Sequence, residues 1–342
     1  MAGTIVPMVR IRDLNTTDDA EVRAYYDIYR RAERDGNPDA RVYSYAETAA
    51  SVRGPSAGMS FQVSVAEVDE VAGPVGAVMT IGSTTDNLRS AWVAVHVLPE
   101  HTGNGVGTAL LATGEQRMAE QGRTELTAEF ALQGDRVERN RGFAERHGYR
   151  WTYNEVERRL PLPIDDGLLD ELDAEARPHR TGYRLVTFDG PVPQQWAQGY
   201  CDVNNRLVLD APHGDLEVEA RRRTPELLAE QDAEINASGR RRVSALAIAP
   251  DGSVAALSSC VISDPDEESV DQWATVVDRA HRGHRLGMSV KVAGYRLLRD
   301  LAPDKRYLQT GNAETNRWMI AINEAFGFAV HSTIGVFVKR ID

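Results

Sequence analysis

The sequence predicts an α/β fold with a mixed sheet, laid down twice in tandem. Three observations point there. The chain has 342 residues, enough for about two domains. Segments rich in β-branched residues alternate with segments of helical period, and the order β-α-α-β-β-β-α-β-α-β can be read in each half. A proline- and acid-rich stretch, LPLPIDDGLLDELDAEARPHRTG from Leu160 to Gly182, separates the halves near the midpoint. The expected domains are 1–160 and 182–342. Residues 161–181 are then a linker, with Leu168, Leu169 and Leu172 supporting a short helix.

Each element has its own signal. In the first half VRIRDL reads as a strand, and DDAEVRAYYDIYRRAERDG as a helix started by Asp18 or Asp19. FQVSVAEV, GPVGAVMTIG and SAWVAVHVLP read as strands. GVGTALLATGEQRMAEQG is a helix stopped by Gly122, LTAEFAL a strand, RVERNRGFAERHG a helix and YRWTYNEVERRL a closing strand. In the second half YRLVTF is a strand and QQWAQGYCDVNNRLVL a helix. PELLAEQDAEINASG is a helix with Thr224 as cap and Pro225 at its first position. RRVSALAIAP, SVAALSSCVIS and DQWATVVDRA are strands. In LGMSVKVAGYRLLRDLAP the stripe Leu286, Val290, Ala293, Leu297 and Leu301 marks one buried helix face. RYLQTGN, RWMIAINEAFG and HSTIGVFVKRI close the half as strand, helix and strand.

Composition removes several classes of function. A formal net charge of −12 disfavours phosphate backbones and anionic membranes, which need clustered cations. No apolar run is long enough to span a bilayer, and no signal-peptide pattern opens the chain. Two cysteines, Cys201 and Cys260, make neither a disulfide framework nor a zinc site, and His281 with His284 lacks a third ligand nearby. The expected setting is a reducing cytoplasm, without nucleic acid, membrane or metal, as a monomer or homodimer. No G-x-S-x-G is present to support a hydrolase.

One repeat stands in register. Val97-Leu-Pro-Glu-His-Thr-Gly103-Asn-Gly-Val-Gly107 aligns without gaps on Val277-Asp-Arg-Ala-His-Arg-Gly283-His-Arg-Leu-Gly287, 180 residues later. Both copies fall between the fourth strand of a half and the next helix. A glycine-rich turn there aims backbone N–H groups and a helix dipole at an anion. A Walker loop is excluded, since no lysine precedes Thr108, and the glycine spacing departs from the dinucleotide fingerprint.

The first copy resembles the pyrophosphate loop of the Gcn5-related N-acetyltransferases: a strand ending V-x-P, then R/Q-x-x-G-x-G/A opening a helix. Thr102 stands where Arg or Gln is usual, and Arg285 where the second copy should have its glycine. Asn316 followed by Gly327-Phe328 matches the family's later helix, and Gly148-Tyr149 gives the first half its Gly-aromatic pair. The resemblance covers nearly the whole chain as a tandem pair of the actinobacterial type.

The resemblance implies acetyl transfer from acetyl-CoA to a small-molecule amine by direct attack in a ternary complex. It places pantetheine along Val95 to Val97 and Val276 to Val277. It places the phosphates on Gly103, Asn104, Gly105, Gly107 and Thr108 in one half. In the other it places them on Gly283, His284, Gly287 and Met288, with Asn316 nearby; Arg282, Arg285 and Lys291 either grip the CoA phosphates electrostatically or fill an empty, degenerate site. The family's thiolate-protonating tyrosine is missing, because position 144 is Ala and position 323 is Asn. Asn323 is then the candidate partner of the sulfur. Asp271 and Glu129 are the candidate bases. Asn205, Arg206, Asp210, Asp215 and Glu217 fall in the acceptor region. His96 and His101 are expected to be structural, and Trp273 and Trp318 to fill the core. The second half is expected to carry the chemistry and the first to bind CoA. The competing expectation is a CoA- or partner-binding module without turnover.

Overall fold

The computed structural model describes residues 8–54, 57–210, 212, 214, 216, 218–263 and 268–341. They form two compact units, Met1–Tyr153 with Ile334–Asp342, and Asn154–Thr333.

The first unit runs β1 (Val9–Asp13), α1 (Asp19–Arg34), α2 (Tyr45–Arg53), β2 (Met59–Val68), β3 (Gly76–Ser83), β4 (Ser90–Val97), α3 (Val106–Glu120), β5 (Glu125–Ala131) and α4 (Val137–Arg146). Asp18 caps α1 by accepting from Ala20 N at 2.9 Å. Past the end of α3, Gly122 takes φ +77°, which a residue with a Cβ adopts at a cost. Val22, Tyr25 and Ile28 of α1 and Ala49 of α2 pack on one face of the sheet with Val63, Val65 and Ala77. Val106, Leu110 and Met118 of α3 and Ala144 of α4 pack on the other with Val78, Val93 and Leu126. Helix α2, unlabelled by any strong pattern, starts on a Ser44 cap that accepts from Glu47 N at 3.1 Å.

Next come β6 (Arg150–Pro161), α5 (Asp166–Ala176), β7 (Arg184–Asp189), α6 (Gln194–Asn204), α7 (Leu207–Asp210), α8 (Pro225–Ala237), β8 (Arg241–Ile248), β9 (Val254–Ile262), β10 (Ser269–Val277), α9 (Leu286–Leu301), β11 (Tyr307–Ala313), α10 (Arg317–Ala325) and β12 (Ala329–Arg340). In the second unit α6 and α8 cover one face through Tyr200, Val203 and Leu228. Helix α9 covers the other through Leu286, Val290, Val292, Tyr295 and Leu298.

The units do not follow the halves of the chain. In the first unit the strand order is β1-β2-β3-β4-β5-β12, and in the second β6-β11-β10-β9-β8-β7. Residues Ile334–Arg340 pair antiparallel with β5, and Glu155–Pro161 pair antiparallel with β11. Each half therefore lends its closing strand to the unit built by the other half. A second departure concerns the expected linker. Helix α5 starts on Asp165, which accepts from Leu168 N at 2.9 Å. Its Leu169, Leu172 and Ala176 are buried in the core of the second unit against α9. The prolines end β6, but three apolar residues at helical spacing then fasten the segment down. Among the described residues no helix is long and apolar enough to cross a membrane.

Candidate active sites in the two units

The same cleft is built in both units. Strand β4 pairs parallel with β5 only over Ser90–Trp92, while its ladder with β3 continues to Val97. Strand β10 pairs parallel with β11 only over Ser269–Asp271, while its ladder with β9 continues to Val277. Each strand pair thus opens into a V. The side facing the opening presents unladdered backbone groups, which a ligand with amides of its own can satisfy.

At the wide end of each V lies the glycine loop. Short 3-10 turns, Pro99–His101 and Arg279–His281, are followed by helices starting at Val106 and Leu286, again 180 residues apart. Gly103 and Gly105 have φ +83°, and Gly283 has φ +86°. A Cβ on any of these three would meet nothing within 4 Å, so the space above the loops is open. No side chain caps either helix start. The first-turn N–H groups are therefore left for an anion. Gly107 lies under the Phe143 ring, Thr108 is exposed on the first turn, and Val95 and Val97 lean on the α3-side core.

The second loop keeps this backbone with different side chains. Arg285 adopts φ +50°, the left-handed conformation that its counterpart Gly105 reaches without strain. Its guanidinium pairs with Glu175 at 2.8 Å, and Arg282 pairs with Asp210 at 2.7 Å. His284 Nδ1 lies 3.0 Å from the His179 carbonyl. Asp210 also takes Arg279, and Arg206 pairs with Asp278. Asn205 exchanges hydrogen bonds of 3.0 Å with the Arg223 backbone. Asp215 and Glu217 lie outside the described residues. Gly287 and Met288 are buried in the first turn of α9, Val277 is half-buried beside them, and Asn316 caps α10 by accepting from Met319 N at 3.3 Å.

Lys291 does not stand among the exposed cations of the loop, where sequence spacing suggested it. It is fully buried, and Nζ donates to Asn323 Oδ1 at 2.6 Å. Asn323 is buried too, and its Nδ2 donates to Asn312 Oδ1 at 2.8 Å. The helical period that places Lys291 near the phosphates also turns it inward, among Tyr295, Phe326 and Phe328. Burial pushes its ammonium down to about 7. The unfolded chain, with lysine near 10.5, binds more protons between those values, so this group makes stability rise with pH there. Burial also lifts Cys260 from 9.0 to about 12, which opposes the trend at higher pH. Between pH 7 and 9 the Lys291→Met variant should therefore show a stability slope flatter by about 1 kcal/mol per pH unit in urea titrations. Parallel slopes for the two proteins would remove Lys291 as the cause.

The units differ most at the apex of the V. Asp271 is buried and accepts from Gln309 Nε2 at 2.8 Å. It is the last β10 residue paired with β11. One β-bulge follows, with the register of β10 on β9 shifting between Gln272 and Ala274 so that Trp273 is the extra residue. Matching the ladders row by row sets Asp271 opposite Val261 in one unit and Trp92 opposite Ile81 in the other. The first unit thus has an aromatic residue at the apex. Its carboxylate, Glu129, is exposed on β5 and accepts from Trp92 Nε1 at 2.9 Å. His96 Nε2 lies 2.9 Å from Glu33 Oε1, and its ring meets Tyr29 edge-on at 5.2 Å. Two aromatic expectations fail: Trp273 is 42% exposed and Trp318 77%, because the bulge and an outward face of α10 carry them to the surface.

Residues 22–149 match the family model for acetyltransferases of the GNAT family. A tandem GNAT protein from the clavulanic acid biosynthesis pathway, solved without AcCoA, superposes with a TM-score of 0.77 at 24% identity, covering 97% of this chain and 98% of its own. A GCN5-related N-acetyltransferase from Sphaerobacter thermophilus superposes with a TM-score of 0.64 at 15% identity, covering 97% and 95%. The glucosamine N-acetyltransferase region of a fungal multi-domain β-N-acetylglucosaminidase gives 0.70 at 13% identity, covering 97% and 38%. Among curated protein sequences none matches this one.

Proposed function

We propose, starting from a chain whose residues 22–149 match the acetyltransferase (GNAT) family model and whose fold superposes on that of a tandem GNAT protein, that it transfers an acetyl group from acetyl-CoA to a small-molecule amine in its second unit. The observation that carries this reading is Asp271 at the apex of a V whose wide end is an uncapped helix start. Acetyl-CoA brings the activated thioester. The backbone groups of β10 freed by the splay hold its pantetheine arm and polarise the thioester carbonyl. The N–H groups at Gly283 and the start of α9 take the pyrophosphate. Arg282 and Arg285 exchange their carboxylates for phosphate oxygens, because exposed ion pairs are worth only about 0–1 kcal/mol each. Asp271 removes a proton from the acceptor ammonium, which frees the nitrogen lone pair for attack. Asn323 is committed to Lys291 and Asn312, so the thiolate leaves without a dedicated acid.

The first unit binds CoA through the open loop at Gly103, Asn104 and Gly105 and supports no base at its apex. Titration calorimetry with CoA tests both statements. The expected result is two sites per chain, reduced to one in Gly105→Glu and to one in Gly283→Glu. An absence of heat with both CoA and acetyl-CoA defeats the reading.

A further inference from the structure

On the α6 and α8 face of the second unit the sheet carries a charge that its own residues do not complete. Arg242 is 2% exposed. Its Nε donates to Asp232 Oδ1 at 2.5 Å, and its Nη1 to Tyr200 Oη and Ser259 Oγ, both at 3.3 Å. Its Nη2 is buried and has no hydrogen-bond partner among the described residues. An unmade hydrogen bond on a buried cation is costly, so the site is unfinished without a ligand. Charge counts the same way. Arg223 lies within electrostatic reach of Arg242, Tyr200 and Asp232, and donates to Asn204 Oδ1 at 3.0 Å. Two guanidiniums thus share one buried carboxylate, and Asp232 also accepts from Val192 N at 3.1 Å. The nearby Asp202 and Glu226 are exposed.

The position of Arg242 is informative. Arg242 pairs with Val261, and Val261 with Asp271, so arginine and apex carboxylate stand in one row on one face of the sheet. Two strand spacings separate them, about 10 Å. Two residues after Asp271 on the same strand, the bulged Trp273 sets its half-exposed ring 5.3 Å from the Arg242 guanidinium. The corresponding row of the first unit reads Phe61, Ile81, Trp92. There the buried Tyr25 meets Met79 Sδ at 3.4 Å, where Tyr200 Oη accepts from Arg242. The polar set is confined to the unit that has the apex carboxylate.

We infer that the acceptor is an amine bearing a carboxylate: its nitrogen is offered to Asp271 and its carboxylate is taken by Arg242 beside Trp273. This rests on the proposed transfer reaction for the direction of the amine. A singly charged carboxylate matches the one surplus positive charge, which a phosphate dianion would exceed. Calorimetry with matched amines tests it: lysine against cadaverine, 4-aminobutyrate against butylamine, and phosphoethanolamine against ethylamine. In the wild type the carboxylated member of at least one pair should bind about tenfold tighter. Arg242→Gln should bring that ratio near one, and Arg242→Lys should leave an intermediate ratio. Because Arg242→Gln strands Asp232, the double variant Arg242→Gln/Asp232→Asn is measured beside it, with circular dichroism as the folding control. The inference is overturned by equal binding within both carboxylate pairs, by stronger selection for the phosphate, or by a carboxylate preference that survives in the folded double variant. Thiol release from acetyl-CoA is scored separately. Carboxylate binding without release counts against the transfer reaction alone; release without carboxylate preference counts against this inference alone.

Discussion

Ending the chain before Ile334 will unfold the first unit, although most of that unit lies at the other end of the sequence. Seven residues of β12, Ile334 to Arg340, form the antiparallel ladder on β5. Phe337 is fully buried and stacks on Phe130 with ring centroids 4.6 Å apart. Lys339 pairs with Glu115 at 2.7 Å and lies over the Tyr149 ring. Truncation leaves β5 as a bare edge and opens a cavity where Phe337 sat. The milder Phe337→Ala should cost about 3–5 kcal/mol, a large share of the roughly 5–15 kcal/mol that holds a domain together. Amide exchange at Thr127, Ala128 and Glu129 is the direct readout. Protection unchanged in the truncated chain would show that β12 is dispensable.

The second large effect is at Asp271. The substitution Asp271→Asn keeps an oxygen that accepts from Gln309, so the local packing is preserved while the proton acceptor is lost. The turnover number should fall by about 10²–10⁴-fold with acetyl-CoA affinity unchanged. The same change at Glu129, exposed in the first unit, should leave turnover at the wild-type level. A turnover loss shared equally by the two variants would place the base elsewhere.

Some of this was legible in the residues alone. The loops at Gly103 and Gly283 announce themselves because positive φ and an uncapped helix start leave a mark in composition. The capped starts at Asp18 and Thr224 were equally readable, since a cap is a local event. The strand exchange was not, because β6 and β12 carry the same alternation whichever neighbour they join. Lys291 was misread for a related reason. Loop proximity in sequence says nothing about which side of a helix faces inward, and a buried lysine breaks the apolar stripe without moving it. Arg242 is the second residue of its strand, following Arg240 and Arg241, and only the pleat sends it inward. The bulge at Trp273 is a single inserted residue, visible only when two ladders are counted against each other.

The exchanged strand also fixes an order in time. About 200 residues separate β5 from its partner in β12. At a ribosomal pace of about 5–20 residues per second, β5 waits roughly 10–40 s with its outer edge unmatched. During that interval β6 is already made, and it is the strand that a self-contained domain would place there. Folding must therefore hold the early half in a provisional state until residue 340 has left the ribosome. Slow, non-local closure of this kind makes nascent chains dependent on whatever shields an open sheet edge during synthesis.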